Sequence, residues 1–123
     1  PLNPGASGQV LQSQGVGVAP IFSIATPVLP ITFVTSGTSY AVSSTDYFLS
    51  VSSNIARTIV LGATTTTGRV VVVKDRTGNA QSNNITVQTT TGTVTIDGGP
   101  TYKINVNYAS IQLLFDGTVY QIF

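Results

Sequence analysis

The chain has 123 residues, of which only 7% are charged, and its formal net charge at pH 7 is +1. Because its five basic residues are dispersed, the sequence lacks the basic stripe of a nucleic-acid-binding protein. It contains neither Cys nor His, which excludes thiol nucleophiles, zinc-thiolate sites and the commonest general base, so we expect neither enzymatic activity nor a cofactor.

Residues 1–30 contain five of the six prolines and no charged residue. Pro and Gly at this density interrupt helices and sheet ladders, which predicts an extended N-terminal arm. The segment starts without Met and has no signal-peptide pattern, so we expect a fragment whose missing part lies N-terminal. No apolar run reaches the roughly 18 residues of a membrane span, and membrane insertion is not expected.

Residues 31–123 form the predicted β-rich head domain. Short β-branched runs are separated by turn residues about every 8–12 positions, a pattern typical of all-β folds. The runs are ITFVTS, SYAVSS, YFLSVSS, ARTIVLG, GRVVVVKD, NITVQTT, GTVTID, YKINVNY, SIQLLFD and TVYQIF. Asp97-Gly98 and Asp116-Gly117 have the residue types of hairpin turns. The pattern predicts a small antiparallel sandwich or prism.

Three runs are apolar at consecutive positions rather than at every second one. They are residues 59–61, 113–115 and, most clearly, Val70 to Val73. Successive strand residues point to opposite faces of a sheet, so such strands need cover on both faces. Two sources of cover are open: the arm can fold back over these strands, or another copy of the chain can pack against them.

The sequence resembles the C-terminal head domains of bacteriophage tail fibres, tail needles and related trimeric fibre adhesins. GASGQVLQSQGVGVAP resembles their linker segments, and RTIVLG, GRVVVVKDRTGNA, NITV, TIDGG, YKINVNY and FDGTVY resemble motifs of their heads. The resemblance implies an intertwined or tightly packed homotrimer at the distal end of a fibre. On this reading the trimer interface contains Val70, Val71, Val72, Val73, Leu113 and Phe115.

Candidate receptor-binding residues lie in the polar loops of the head. They are Arg76, Asn79, Asn83, Asn84 and Tyr102. Amide side chains both donate and accept hydrogen bonds, which suits neutral glycans, and a tyrosine ring can stack on a sugar. The competing interpretation of Lys74, Asp75 and Arg76 is structural. In it, Asp75 starts a turn by accepting from backbone N–H groups while the cations are solvated or paired.

The four carboxylates are Asp46, Asp75, Asp97 and Asp116. Each lies in or beside a turn-like stretch, which favours structural use over a paired-carboxylate hydrolase. No D-x-D-x-D calcium loop is present, and we expect no metal site within one chain.

The resemblance, together with the polar loops, implies a fibre tip that attaches to a host or prey cell surface through a carbohydrate or lipopolysaccharide. Its location would be the virion, or an extracellular or periplasmic fibre of a bacterium. Two alternatives stay open: a structural trimerisation and capping domain without a ligand, and a monomeric carbohydrate-binding module.

Overall fold

The computed structural model describes residues 5–24, 28–62, 66–90 and 92–123. Residues 1–4 and 25–27 of the predicted arm and residues 64–65 of a predicted loop lie outside this part of the chain. The described residues contain strands and no helix, and therefore no helix that could cross a membrane. The all-β prediction is confirmed. The strands are β1 (Gln9–Gln12), β2 (Ile21–Ile24), β3 (Ile31–Val34), β4 (Ser39–Ala41), β5 (Phe48–Val51), β6 (Arg57–Leu61), β7 (Val70–Asp75), β8 (Ile85–Thr89), β9 (Thr101–Ile104), β10 (Ser110–Phe115) and β11 (Tyr120–Ile122).

The N-terminal segment forms a hairpin where an extended arm was expected. Strands β1 and β2 pair antiparallel, with Gln9 opposite Ile24. Neither strand contains Pro or Gly, so both can form ladder hydrogen bonds. The glycines are in the connection instead, where Gly15 and Gly17 adopt positive φ angles.

The head domain consists of two sheets, and the chain alternates between them from β3 to β8. Strands β3, β5 and β7 lie side by side in a five-stranded sheet, and β4, β6 and β8 lie side by side in a four-stranded sheet. Within each set the neighbours are parallel. Parallel neighbours need a crossover, and here the crossover is a strand of the opposite sheet. The result is a short, flattened β-solenoid of three coils.

The prediction of an antiparallel sandwich is therefore wrong for the three coils, whose neighbouring strands are parallel. Residues such as Thr35 to Thr38 carry the chain round a corner into the other sheet rather than back along the same sheet. The same turn-forming residue types serve both purposes, so the spacing of turn signals could not distinguish them. The consecutive apolar residues of β7 are instead what parallel, doubly covered strands contain.

Antiparallel strands finish the solenoid at its C-terminal end. Strand β9 pairs with β8, and β10 pairs with both β7 and β11. The two predicted glycine turns are confirmed here. Asp97 and Gly98 both have positive φ between the bridged residues Ile96 and Gly99, and Gly117 has φ 105° in the β10–β11 turn.

The core lies between the two sheets and is formed by alternate residues of each strand. Val71 and Val73 of β7 face inward together with Leu49, Leu113 and Phe115. The facing sheet contributes Ile59, Leu61, Ile85, Val87 and Ile104. Removing a side chain of this size from water contributes about 1.5–3 kcal/mol of stability. The single chain thus covers one face of the valine run by itself.

Candidate functional site

Asp75 continues the inward-facing row of β7 but carries a charge, and its side chain is fully buried. Its carboxylate accepts five hydrogen bonds of 2.7–3.2 Å, from the hydroxyl of Ser53 and the backbone N–H groups of Thr77, Gly78, Ala80 and Tyr108. The prediction that Asp75 bonds backbone N–H groups at the start of a turn is confirmed. It fixes the loop between β7 and β8 and also holds the segment that precedes β10.

Close packing supports the same loop. Gly78 has φ 73°, and a Cβ there would lie 2.2 Å from the ring of Tyr108. Tyr108 itself has φ 59°, an uncommon value for a non-glycine residue. Its N–H points at the Asp75 carboxylate, so the hydrogen bond compensates for the backbone strain.

The cations beside Asp75 contact aromatic rings. Lys74 Nζ lies 5.8 Å from the ring centroid of Tyr108, and the Arg76 guanidinium carbon lies 5.1 Å from that of Phe33. Both distances are within the range of cation–π attraction. Arg76, a predicted receptor contact, therefore borders the outer face of the five-stranded sheet.

The structure does not bring the five predicted receptor residues together. The side-chain amides of Asn79 and Asn83 donate to Asn54, which fastens the loop to the β5–β6 corner. Asn84 donates to the carbonyl of Ala80 and lines a groove described below. Tyr102 is exposed on β9 and lies in the same alternating row as Ile104, apart from that groove.

The residues predicted for the trimer interface divide between two environments. Val71, Val73, Leu113 and Phe115 lie in the core of the single chain, and none is more than 7% exposed. Side chains buried in this way are not available to a second subunit. Val70 and Val72 face the outer side of the five-stranded sheet. Val72 is 8% exposed there and lies between Phe48 and Gln112 on the neighbouring strands.

The other carboxylates also have structural partners. Asp46 accepts from the hydroxyls of Thr32 and Tyr40 and from the N–H of Ser43. Asp116 accepts from Thr118, Val119 and Gln121 within the β10–β11 turn, and Asp97 accepts from the N–H of Ile122. Within the described ranges no three acidic, His or Cys side chains form a group that could hold a metal ion.

Hydrogen bonding lowers the pKa of three of these carboxylates, the buried Asp75 and Asp46 and the exposed Asp116. Burial by itself would raise the pKa of Asp75, but the bonds from Ser53 and from backbone N–H groups outweigh it and hold the pKa below its ordinary value. The pKa of Asp46 is likewise lowered, because the bonds from Thr32, Ser43 and Tyr40 outweigh its burial. None of the three has the raised pKa expected of a general acid.

We expect stability to fall on acidification below about pH 4. The pKa values of Asp46 and Asp75 are lower in the folded protein than in the unfolded chain. Such groups stabilise the folded state at any pH above their pKa in the unfolded chain. This stabilisation is lost as the pH falls through their pKa in the folded protein. Urea midpoints measured at pH 7, 5, 4 and 3 at constant ionic strength should be equal at the first two values and then decrease. The urea midpoint of an Asp75→Asn variant should decrease less steeply between pH 5 and pH 3. An equal decrease in both proteins would contradict the assignment of part of this pH dependence to Asp75.

A groove with polar walls lies on the outer face of the four-stranded sheet. Its floor is one row across all four strands, in which Ser39, Thr58, Thr86 and Lys103 are successive neighbours. Ser82 and Asn84 from the β7–β8 loop line it as well. We call this feature the polar groove. Its volume is about 500 Å³, within the roughly 300–1,000 Å³ typical of small-molecule sites.

The polar groove carries positive charge and free hydrogen-bonding groups. Lys103 and Arg57 line it, and none of its lining residues is acidic. In the described part of the chain, the hydroxyls of Ser39, Thr58 and Thr86 have no protein hydrogen-bond partner. Sequence reasoning identified only Asn84 of this groove. Which strands lie beside β9 could not be known from one chain.

An apolar surface lies on the opposite side, on the outer face of the five-stranded sheet. Strand pairing aligns Ile31, Phe48 and Val72 in one row, with Phe33, Val70 and Leu114 on the same face. We call these six residues the apolar outer face. Ile31 and Phe33 are 57% and 61% exposed, and they belong to β3, the edge strand of the sheet. Leu29 and Tyr47 extend this surface into a shallow depression.

Neither the models of known protein families nor the curated proteins give a match to this chain, so its function is inferred from these two surfaces and from its sequence.

Proposed function

We propose that this chain is the tip domain of a trimeric fibre and that it attaches the fibre to a cell surface through a glycan. The observation that carries the proposal is the apolar outer face, whose residues Ile31 and Phe33 are exposed at an open sheet edge of the single chain. Contiguous apolar patches of this kind on a soluble domain mark interaction sites, and a symmetric oligomer buries them by repeating one contact.

The distribution of exposed apolar side chains supports assembly through the N-terminal part of the chain. Of the fifteen large hydrophobic residues that are exposed among the described residues, ten lie between Val10 and Phe33. This segment includes the hairpin, the following link and β3. Its burial against other copies would cover most of this apolar surface and the free edge of β3.

A binding role agrees better with the chemistry of the chain than a catalytic one. The carboxylates hold turns in place, and three of them have lowered pKa values. The sequence provides no His or Cys. The polar groove offers hydroxyl and amide groups of the kind that bind sugars.

The assembly is tested by replacing Ile31 and Phe33 with Thr, which keeps a strand-forming side chain but removes the apolar surface. Sedimentation equilibrium should give about three times the 12.8 kDa chain mass for the wild type. The double variant should dissociate at a concentration at least tenfold higher, with an unchanged far-UV spectrum. Val106→Thr is the matched control, because Val106 is 62% exposed but lies outside this face.

A wild-type chain that stays monomeric and folded at all concentrations would contradict the trimer. A trimer that binds neither cells, lipopolysaccharide nor surface glycans would contradict attachment and leave a structural role in the fibre. Adsorption of the wild-type trimer to cells, abolished by competing surface polysaccharide, is the result we expect.

A further inference from the structure

We propose that the polar groove binds an acidic sugar, meaning a hexose unit that bears a carboxylate or phosphate group. This inference deepens the proposed function and rests on it, since it names the class of glycan and the surface that binds it. It is carried by three observations on the groove: its free hydroxyls, its uncompensated positive charge and its position on the domain.

The hydroxyls can form hydrogen bonds with several hydroxyl groups of one sugar. Ser39, Thr58 and Thr86 lie on adjacent strands, so their side chains are spaced by the separation of strands in a sheet, about 4.8 Å. Each hydroxyl can both donate and accept, as each sugar hydroxyl can. The Asn84 amide lies beside them; it donates to Ala80, and its side-chain oxygen can still accept.

The charge of the groove selects an acidic ligand over a neutral one. The guanidinium of Arg57 is occupied by backbone carbonyls of Thr35, Gly37 and Ser52, but its charge stays beside the groove. Lys103 is exposed at the end of the floor row and forms no ion pair with a described carboxylate. Hydrogen bonds between an ammonium and a carboxylate or phosphate are stronger than neutral ones.

Hydrogen bonds rather than aromatic stacking hold the ligand in this groove. No aromatic residue lines it. Tyr102 is the neighbour of Lys103 on β9, and alternation points it to the other side of the strand. Specificity therefore depends on the hydroxyl row and on Lys103.

The groove stays accessible in the proposed assembly. It lies on the outer face of the four-stranded sheet, whereas the apolar outer face lies on the five-stranded sheet across the core. A trimer that buries the apolar outer face directs three polar grooves outward. Three equivalent sites on one particle raise the avidity for a repeating polysaccharide.

Titration of the ¹⁵N-labelled full chain with three matched sugars tests the inference. Glucose, glucuronic acid and glucose 6-phosphate share a hexose and differ in having no charge, a carboxylate or a phosphate. We expect the resonances of Thr58, Thr86 and Lys103 to shift. The affinity for at least one of the two acidic sugars should be at least tenfold higher than the affinity for glucose. Tighter binding of glucuronic acid would indicate a carboxylated glycan, and tighter binding of glucose 6-phosphate would indicate a phosphorylated one.

Two variants and one control locate the binding. Lys103→Gln should remove the preference for the acidic sugar, and Thr86→Val, which removes one hydroxyl at nearly constant shape, should weaken binding about three- to tenfold. Thr101→Val is the matched control, since Thr101 lies on the same face but in the neighbouring row. Its affinities should equal those of the wild type.

The inference is overturned if glucose binds as tightly as both acidic sugars, or if the groove resonances do not shift with any of them. It is also overturned if the double variant Thr86→Val/Lys103→Gln still adsorbs to cells like the wild type, and in that case attachment itself stands. Failure of the proposed function would give a different result. The wild-type chain would then be monomeric, or it would not adsorb to cells at all.

Discussion

Replacing Asp75 with Ala should lower the free energy of unfolding by about 3–5 kcal/mol. The substitution leaves five hydrogen-bond donors without their acceptor, and four of them are backbone N–H groups of the β7–β8 loop and of Tyr108. Domains of this size have a total stability of only about 5–15 kcal/mol, so a large part of it should disappear. The measurement is urea unfolding at pH 7, followed by far-UV circular dichroism.

Asp75→Asn and Asp116→Ala provide the comparison. Asn keeps one acceptor oxygen but turns an NH₂ group toward some of the donors. The free energy of unfolding of Asp75→Asn should therefore lie between those of the wild type and Asp75→Ala. Asp116 also accepts backbone N–H bonds but is exposed, and its donors can bind water instead. Its variant should unfold close to the wild type. Equal effects of Asp75→Ala and Asp116→Ala would show that the buried network contributes little.

Replacing Arg57 with Met should cost about 2–4 kcal/mol, because three carbonyl groups lose a charged donor. Arg57 is 5% exposed and donates to the carbonyls of Ser52, at 2.5 Å, and Thr35, at 2.9 Å, and to that of Gly37. Thr35 and Gly37 belong to the corner of the first coil, whereas Arg57 begins β6 in the second. The side chain thus joins two successive coils.

Hydrogen exchange can show whether Arg57→Met loses stability mainly in the first coil or throughout the domain. Amide hydrogen exchange in the Met variant should become faster at β3, β4 and the corner between them, and should change little in β10 and β11. Arg69→Met is the matched control, since Arg69 also donates to backbone carbonyls, those of Ser43 and Asp46, but is less buried. Uniform acceleration across all strands would contradict the assignment of Arg57 to the first coil.

Asp75 and Arg57 share one physical feature: each is a buried charge whose hydrogen-bond partners are uncharged groups, mainly of the backbone. A solenoid corner leaves N–H and C=O groups that no ladder pairs, and these must be satisfied when they are buried. This chain has only four acidic and five basic residues, and Asp75 and Arg57 are among those that serve this purpose. This use explains why Asp75 precedes the glycine turn in the motif KDRTGNA.

Part of the fold could be read from single residues and their neighbours. The β-branched runs predicted an all-β protein, Asp97-Gly98 and Asp116-Gly117 marked turns with positive φ, and Asp75 was identified as a turn anchor. These features depend on interactions within a few positions of the chain. The consecutive apolar residues of three runs also predicted strands that need cover on both faces, although they could not show what provides the outer cover.

Only the tertiary structure decided which strands are neighbours. Turn residues send the chain either into a hairpin or round a corner, and the parallel pairing of β3, β5 and β7 follows from the second choice. The polar groove needs Ser39, Thr58, Thr86 and Lys103 on four adjacent strands, and the Asp75 network joins residues up to 33 positions apart. The sequence by itself determined the all-β class, the glycine turns and the role of Asp75 as a turn anchor, because these are local. Register and strand order set both surfaces of the domain, because they depend on contacts between residues that are distant in the chain.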